Sequence, residues 1–112
     1  MLTGDSHNAW AFDLSHDGKP AGVEFAGQSV TSSGLEAYFT GAKPKTVATA
    51  LMQTNPGLKW TDSSQRGYMV VDLTPERATS EWRFVESVKA RSTGLAGTKR
   101  LIAKRGKRQL QV

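Results

Sequence analysis

The segment that most limits what this chain can fold into runs from Gly67 to Val85. Gly67-Tyr68-Met69-Val70-Val71-Asp72-Leu73 is nearly continuous in apolar and β-branched residues, the pattern of a strand covered on both faces. Thr74-Pro75-Glu76-Arg77 follows, with proline at the turn position whose φ it fixes in advance. Beyond it, Ala78 to Val85 alternates, placing Trp82 and Phe84 on one face and Glu81 and Arg83 on the other. The whole reads as an antiparallel hairpin that commits the chain to a sheet, and Trp82, Phe84, Trp10 and Tyr68 fall in strand periodicity that favours core packing over base stacking or ligand contact.

The rest of the chain is read around that hairpin. Trp10 to Leu14 and Ala21 to Phe25 alternate as half-buried strands. Between them Ser15-His16-Asp17-Gly18-Lys19-Pro20 carries the Asp-Gly pair of a positive-φ turn, so a second hairpin is expected, with a loop longer than two residues and His16 at its exposed tip. Gly27 to Gly34 is small and polar, a loop leading away from a strand end. Val47, Ala50, Leu51 and Thr54 recur at helical spacing within Lys45 to Thr54. Pro44 suits the start of that helix, Asn55-Pro56-Gly57 stops it, and Leu35 to Phe39 can add another turn. Leu58 to Trp60 reads as a short strand, and Ser92 to Gly97 as a flexible connection. The fold class is α+β, mainly antiparallel strands in two hairpins with one or two helices.

A chain of 112 residues has the size of one domain and can hide about two thirds of its unfolded surface. Its 38% hydrophobic share and eleven glycines predict a thin core with many turns. The absence of cysteine excludes disulfides, thiolate nucleophiles and cysteine zinc sites. No stretch reaches the roughly 20 apolar residues of a membrane-spanning helix, and no export leader opens the chain.

The net charge of +5 suggests nucleic acid until the charges are placed. Lys89, Arg91, Lys99, Arg100, Lys104, Arg105, Lys107 and Arg108 stand unopposed by any acidic residue, whereas the residues before Lys89 hold seven basic and ten acidic side chains. Basicity therefore belongs to a tail, residues 89–112, and the body is residues 1–88. Within the tail, Lys99, Arg100, Lys104, Arg105, Lys107 and Arg108 are candidates for contacting anions. A solvated terminus is the plainer reading, and Leu95, Leu101, Ile102 and Leu110 allow a third, a closing strand within Thr98 to Val112.

Chemistry is concentrated at the start, in Leu2-Thr3-Gly4-Asp5-Ser6-His7-Asn8-Ala9-Trp10. Gly4 lets the backbone turn off a strand end, and Asp5 and His7 can face one side of an extended segment. A carboxylate and an imidazole are a natural pair of metal ligands, and metals in phosphoryl hydrolysis polarise the ester and generate hydroxide near neutral pH. On local physics a capping aspartate beside a surface histidine looks identical. Ser32 and Ser33 lack a base partner in sequence, so a plain loop is favoured over a nucleophile, and solvated faces account for Glu24 and Glu36.

Several motifs in order resemble the alkaline phosphatase D family, the PhoD-like phosphatases. They are Gly4 to Trp10; Gly22-Val23-Glu24-Phe25 with Ser29 to Gly34; and Arg66 to Arg77 followed by Glu81-Trp82-Arg83-Phe84-Val85. The resemblance covers Leu2 to Val88. It implies a fragment of a layered α/β metallophosphatase fold with two packed sheets, the C-terminal part of the catalytic domain. It further implies hydrolysis of phosphate mono- or diesters, calcium and iron as metals, and an exported protein. By motif it carries over Asp5 and His7 as metal-site and catalytic residues, with Asn8 supporting them.

Family members draw further ligands from an N-terminal portion, so with two histidines this chain is expected to form an incomplete site and to be inactive alone. Strand edges left by a truncation would favour self-association. The rival from another class is a small basic module that grips nucleic acid through residues 89–108. It predicts exposed aromatics beside basic residues, where the phosphatase reading predicts them buried. A truncated reading frame without a function of its own is a third reading.

Overall fold

The computed structural model describes residues 1–112 as two sheets packed face to face. The first sheet has the order β1-β3-β2-β4, from Leu2–Thr3 (β1), Ala9–His16 (β2), Lys19–Ala26 (β3) and Leu58–Asp62 (β4). The second is β5-β6-β7, from Gly67–Leu73, Arg77–Val85 and Leu95–Lys104. All pairings are antiparallel except the short β1–β3 contact. One α-helix, α1 (Pro44–Thr54), and a single 3-10 turn at Leu35–Ala37 complete the α+β architecture.

Alternation decides what enters the core. In β6, Ser80, Trp82 and Phe84 point inward, and across the register Met69 and Lys99 flank Trp82. Ala9, Ala11 and Phe25 face them from the first sheet, and Leu101, Ala103 and Leu110 close the cluster. Trp82 lies at its centre, fully buried, with ring centroids 5.8 Å from Phe25 and 4.7 Å from Trp60. Its indole Nε1 donates to the Ala26 carbonyl at 2.7 Å, satisfying the buried polar atom and tying one sheet to the other. The small Ala9 and Ala11 leave room for these rings.

The first hairpin is tighter than expected. Asp17 (φ 49°) and Gly18 (φ 72°) form a two-residue turn with both residues left-handed, the twist-matched hairpin geometry. Ser15 and Pro20 look like loop residues but pair with each other, because a bulge between Leu14 and Ser15 absorbs the irregularity. His16 is exposed beside that turn, 3.4 Å from Asp17.

β5 is not covered on both faces. It is the edge strand of a three-stranded sheet, so Tyr68, Val70 and Leu73 remain exposed while Met69 packs on the core. Tyr68 therefore departs from its expected core role and lies under the Arg83 guanidinium, 5.9 Å from the ring centroid. On the same outer face Glu81 accepts hydrogen bonds from Arg83 and Arg100, which hold its carboxyl below the usual glutamate range. With the folded value depressed, that contribution is present above the ordinary glutamate pKa and is lost as pH falls through the lowered one.

Residues 95–97 are strand rather than flexible connection. Val85 pairs with Leu95 and Phe84 with Gly97, and the Glu86 amide donates to the Gly94 carbonyl. The closing strand allowed for 98–112 thus runs from Leu95 to Lys104, and Gln111 returns to bridge Ile102.

Gly67 opens β5 with φ 154°, and a Cβ there would run into the Arg83 carbonyl of the paired strand. Backbone cannot yield as a flexible side chain does. Gly67→Ala is expected to cost about 2–3 kcal/mol, read as a lower urea midpoint with an unchanged slope.

Candidate functional site

The opening segment is bent, not extended. After β1 the Ser6 amide donates to the Gly4 carbonyl at 2.9 Å, and Asp5 (φ 72°) and His7 (φ 61°) both adopt the left-handed region. Asp and His tolerate that region better than most residues, yet two such positions in three residues mark a locally costly loop. The shared face expected for Asp5 and His7 on an extended segment is therefore absent. Asp5 is exposed and His7 half-buried.

His7 is nevertheless held in a defined way. Its Nδ1 lies 2.8 Å from the Ser33 carbonyl oxygen. A carbonyl only accepts, so Nδ1 carries a proton, and in the neutral ring Nε2 keeps its lone pair. This is how a ligating imidazole is oriented in metal sites, where the nitrogen away from the metal donates to a carbonyl or carboxylate. Asn8, almost fully buried, braces the same contact. Its Nδ2 donates to Ser6 O at 2.6 Å and its Oδ1 accepts from the Leu35 amide at 3.0 Å. Ser6 Oγ is buried with no hydrogen-bond partner.

The loop that receives His7 has its own support. The Gly34 amide donates to both carboxylate oxygens of Glu36, at 3.0 and 3.1 Å, and Glu36 pairs with Arg66. Arg66 is 7% exposed, and burial lowers its guanidinium pKa from the ordinary arginine value. Its Nη1 also donates to the Gln65 carbonyl at 2.9 Å. Glu36 is thus no bystander on a solvated face, and Glu24 likewise accepts from Thr3 Oγ1 and from Trp10 Nε1.

For a resident metal, the donor set is the test. No group of three or more His, Cys, Asp or Glu side chains converges anywhere in the chain. His7 has the arrangement of one ligand, but these 112 residues do not by themselves fit a metal centre.

The basic candidates are dispersed. Lys99 and Arg100 are neighbours on β7 and point to opposite faces: Lys99 Nζ lies 6.0 Å from the Trp60 ring centroid, while Arg100 is engaged by Glu81. Lys104 ends β7, and the Arg105 amide donates to the Glu76 carbonyl. Lys107 and Arg108 line an open groove with Lys19. Trp82 and Phe84 are buried, so the fold does not present its central aromatics to a nucleic acid.

The two-sheet layer thus presents one oriented imidazole from a loop at a strand end. Residues 1–82 match the family described as PhoD-like phosphatase, most of the chain, and the chain belongs to that family. It is 31% identical over 93 residues to alkaline phosphatase D of Bacillus subtilis (strain 168), a match covering 79% of this chain and 15% of the relative. A solved structure of PhoD superposes with a TM-score of 0.76 at 26% identity, covering 98% of this chain and 21% of that one. The chain therefore spans about a fifth or less of the relatives it matches. No helix is long and apolar enough to cross a membrane.

Proposed function

We propose that this chain is the C-terminal part of the catalytic unit of an exported PhoD-like phosphatase acting on phosphate mono- or diesters. Its chemical contribution is His7, offering Nε2 as one donor to a centre whose remaining donors lie outside these 112 residues, with Asp5 beside it and Asn8 holding the loop. Calcium and iron are the metals the family resemblance implies. The observation that carries the reading is the His7 Nδ1 contact to Ser33 O, which frees Nε2 on a chain with no converging set of three donors.

The surface supports a part rather than a whole. Accessible area is 7343 Å² for 12.1 kDa, whereas a compact monomer of that mass exposes about 6,000 Å². Leu2, Val30, Tyr38, Phe39, Tyr68, Val70 and Leu73 are all exposed, apolar surface of the kind a neighbouring part of a larger domain would cover. The exposed edge of β5 favours self-association of the isolated chain.

The purified chain, supplied with calcium and iron and a chromogenic phosphate monoester or diester, is expected to hydrolyse neither above the blank. Hydrolysis that disappears in His7→Ala would overturn the reading, because the centre would then be complete within this chain or a dimer of it.

A further inference from the structure

The contact that orients His7 is made by a peptide group, and that group is gripped from its other side. Ser33 C=O and Gly34 N–H belong to one planar unit, so fixing the direction of the N–H fixes the direction of the carbonyl. The N–H is donated to the Glu36 carboxylate at 3.0 and 3.1 Å, while the carbonyl meets His7 Nδ1 at 2.8 Å. A carboxylate on the N–H also draws charge through the amide and makes its oxygen a better acceptor. Glu36 is held in turn by Arg66, a guanidinium that burial deprives of water and that has the carboxylate as its ionic partner.

Gly34 shows how closely the loop is seated. A Cβ there would stand 2.8 Å from the His7 carbonyl oxygen, 2.8 Å from Asn8 Oδ1 and 3.0 Å from Glu36 Oε2. Arg66 is itself anchored in a stiff connection between β4 and β5, where Asp62 Oδ1 accepts from the Ser64 and Gln65 amides at 2.9 and 2.8 Å. The Glu36 amide bonds back to the Ser63 carbonyl of that connection. A line of contacts thus runs from the β4–β5 connection to the imidazole.

We propose that Glu36 and Arg66 are positioning residues for His7: through the Ser33–Gly34 peptide they hold the imidazole with its proton on Nδ1 and so keep Nε2 open toward the phosphatase centre. This rests on the reading of His7 given above and extends it to two residues 30 positions apart that never touch the ring.

The test is ¹⁵N NMR of the imidazole nitrogens in the 112-residue chain, at a pH well above the range in which imidazoles titrate. His16, exposed and remote from this loop, serves as the internal reference. In the wild type His7 is expected to be mainly the Nδ1–H form, while His16 favours the Nε2–H form usual for a free imidazole. In Glu36→Ala the ratio of the Nδ1–H to the Nε2–H form of His7 is expected to fall about twofold or more, since losing a hydrogen-bond support shifts a two-state equilibrium at least that far. The Trp82 indole N–H signal should stay in place as evidence of an intact core. Glu36→Gln, which keeps a neutral acceptor, should fall less.

An unchanged tautomer in Glu36→Ala with the Trp82 signal intact overturns the positioning role and leaves the reading of His7 standing. A wild-type His7 that is mainly Nε2–H overturns both. If Glu36→Ala loses the Trp82 signal, Glu36→Gln decides: a fall supports the role and no change overturns it.

Discussion

Trp82→Ala is expected to cost about 3–5 kcal/mol, the range for removing a fully buried large aromatic. The indole touches rings from both sheets, Phe25 and Trp60, and its N–H satisfies the Ala26 carbonyl. Its loss therefore removes packing, opens a cavity and orphans a buried acceptor together. The surroundings are poorly able to collapse into the space, because Ala9, Ala11 and Ala103 line the same cluster and cannot reach across it. Small domains hold about 5–15 kcal/mol in total, and eighteen buried residues place this one near the lower end. Urea unfolding followed by circular dichroism should show the midpoint driven close to zero denaturant. A loss below about 1 kcal/mol, the size of an ordinary surface change, would contradict the assignment of Trp82 as the centre of the core.

That residue was legible in the sequence because β6 carries its own evidence. Trp82 and Phe84 alternate with Glu81 and Arg83, and no tertiary partner is needed to see which face is apolar. The helix was equally plain, since Pro44 starts it and Asn55-Pro56-Gly57 ends it within the chain's own local chemistry. The failures share a cause in non-local geometry. The exposure of Tyr68 and Val70 depends on what covers β5, which periodicity within β5 does not report. Leu95-Ala96-Gly97 shows no alternation, and it becomes strand only because β6 offers it a partner. Pro20 and Ser15 carry loop signals that a single bulge overrides.

The candidate site divides in the same way. His7 and Asn8 stood out through the longer motif around them. The carbonyl that orients His7 belongs to the backbone of Ser33 and has no signature in residue identity. Glu36 reads as a solvated face and Arg66 only as the start of a motif, because an ion pair spanning 30 residues shows itself only when the loop and the β4–β5 connection are folded together. Asp5 and His7 were expected on one face of an extended segment. Their positive φ angles show a bent loop, which local propensity permits but does not require.

The second large effect concerns the proposed chemistry, and it is also the most direct test of the account. This chain would replace the segment it matches in alkaline phosphatase D of Bacillus subtilis, so that the surrounding protein can supply the further donors proposed above. The chimaera is expected to hydrolyse a chromogenic phosphodiester. His7→Ala in it is expected to lower kcat by about 100-fold or more and to reduce the metal-to-protein ratio, because a lost ligand removes several kcal/mol of stabilisation where each 1.36 kcal/mol is tenfold in rate. A chimaera that is active, with His7→Ala equally active and equally metallated, would contradict the claim that this chain serves a phosphatase centre through His7.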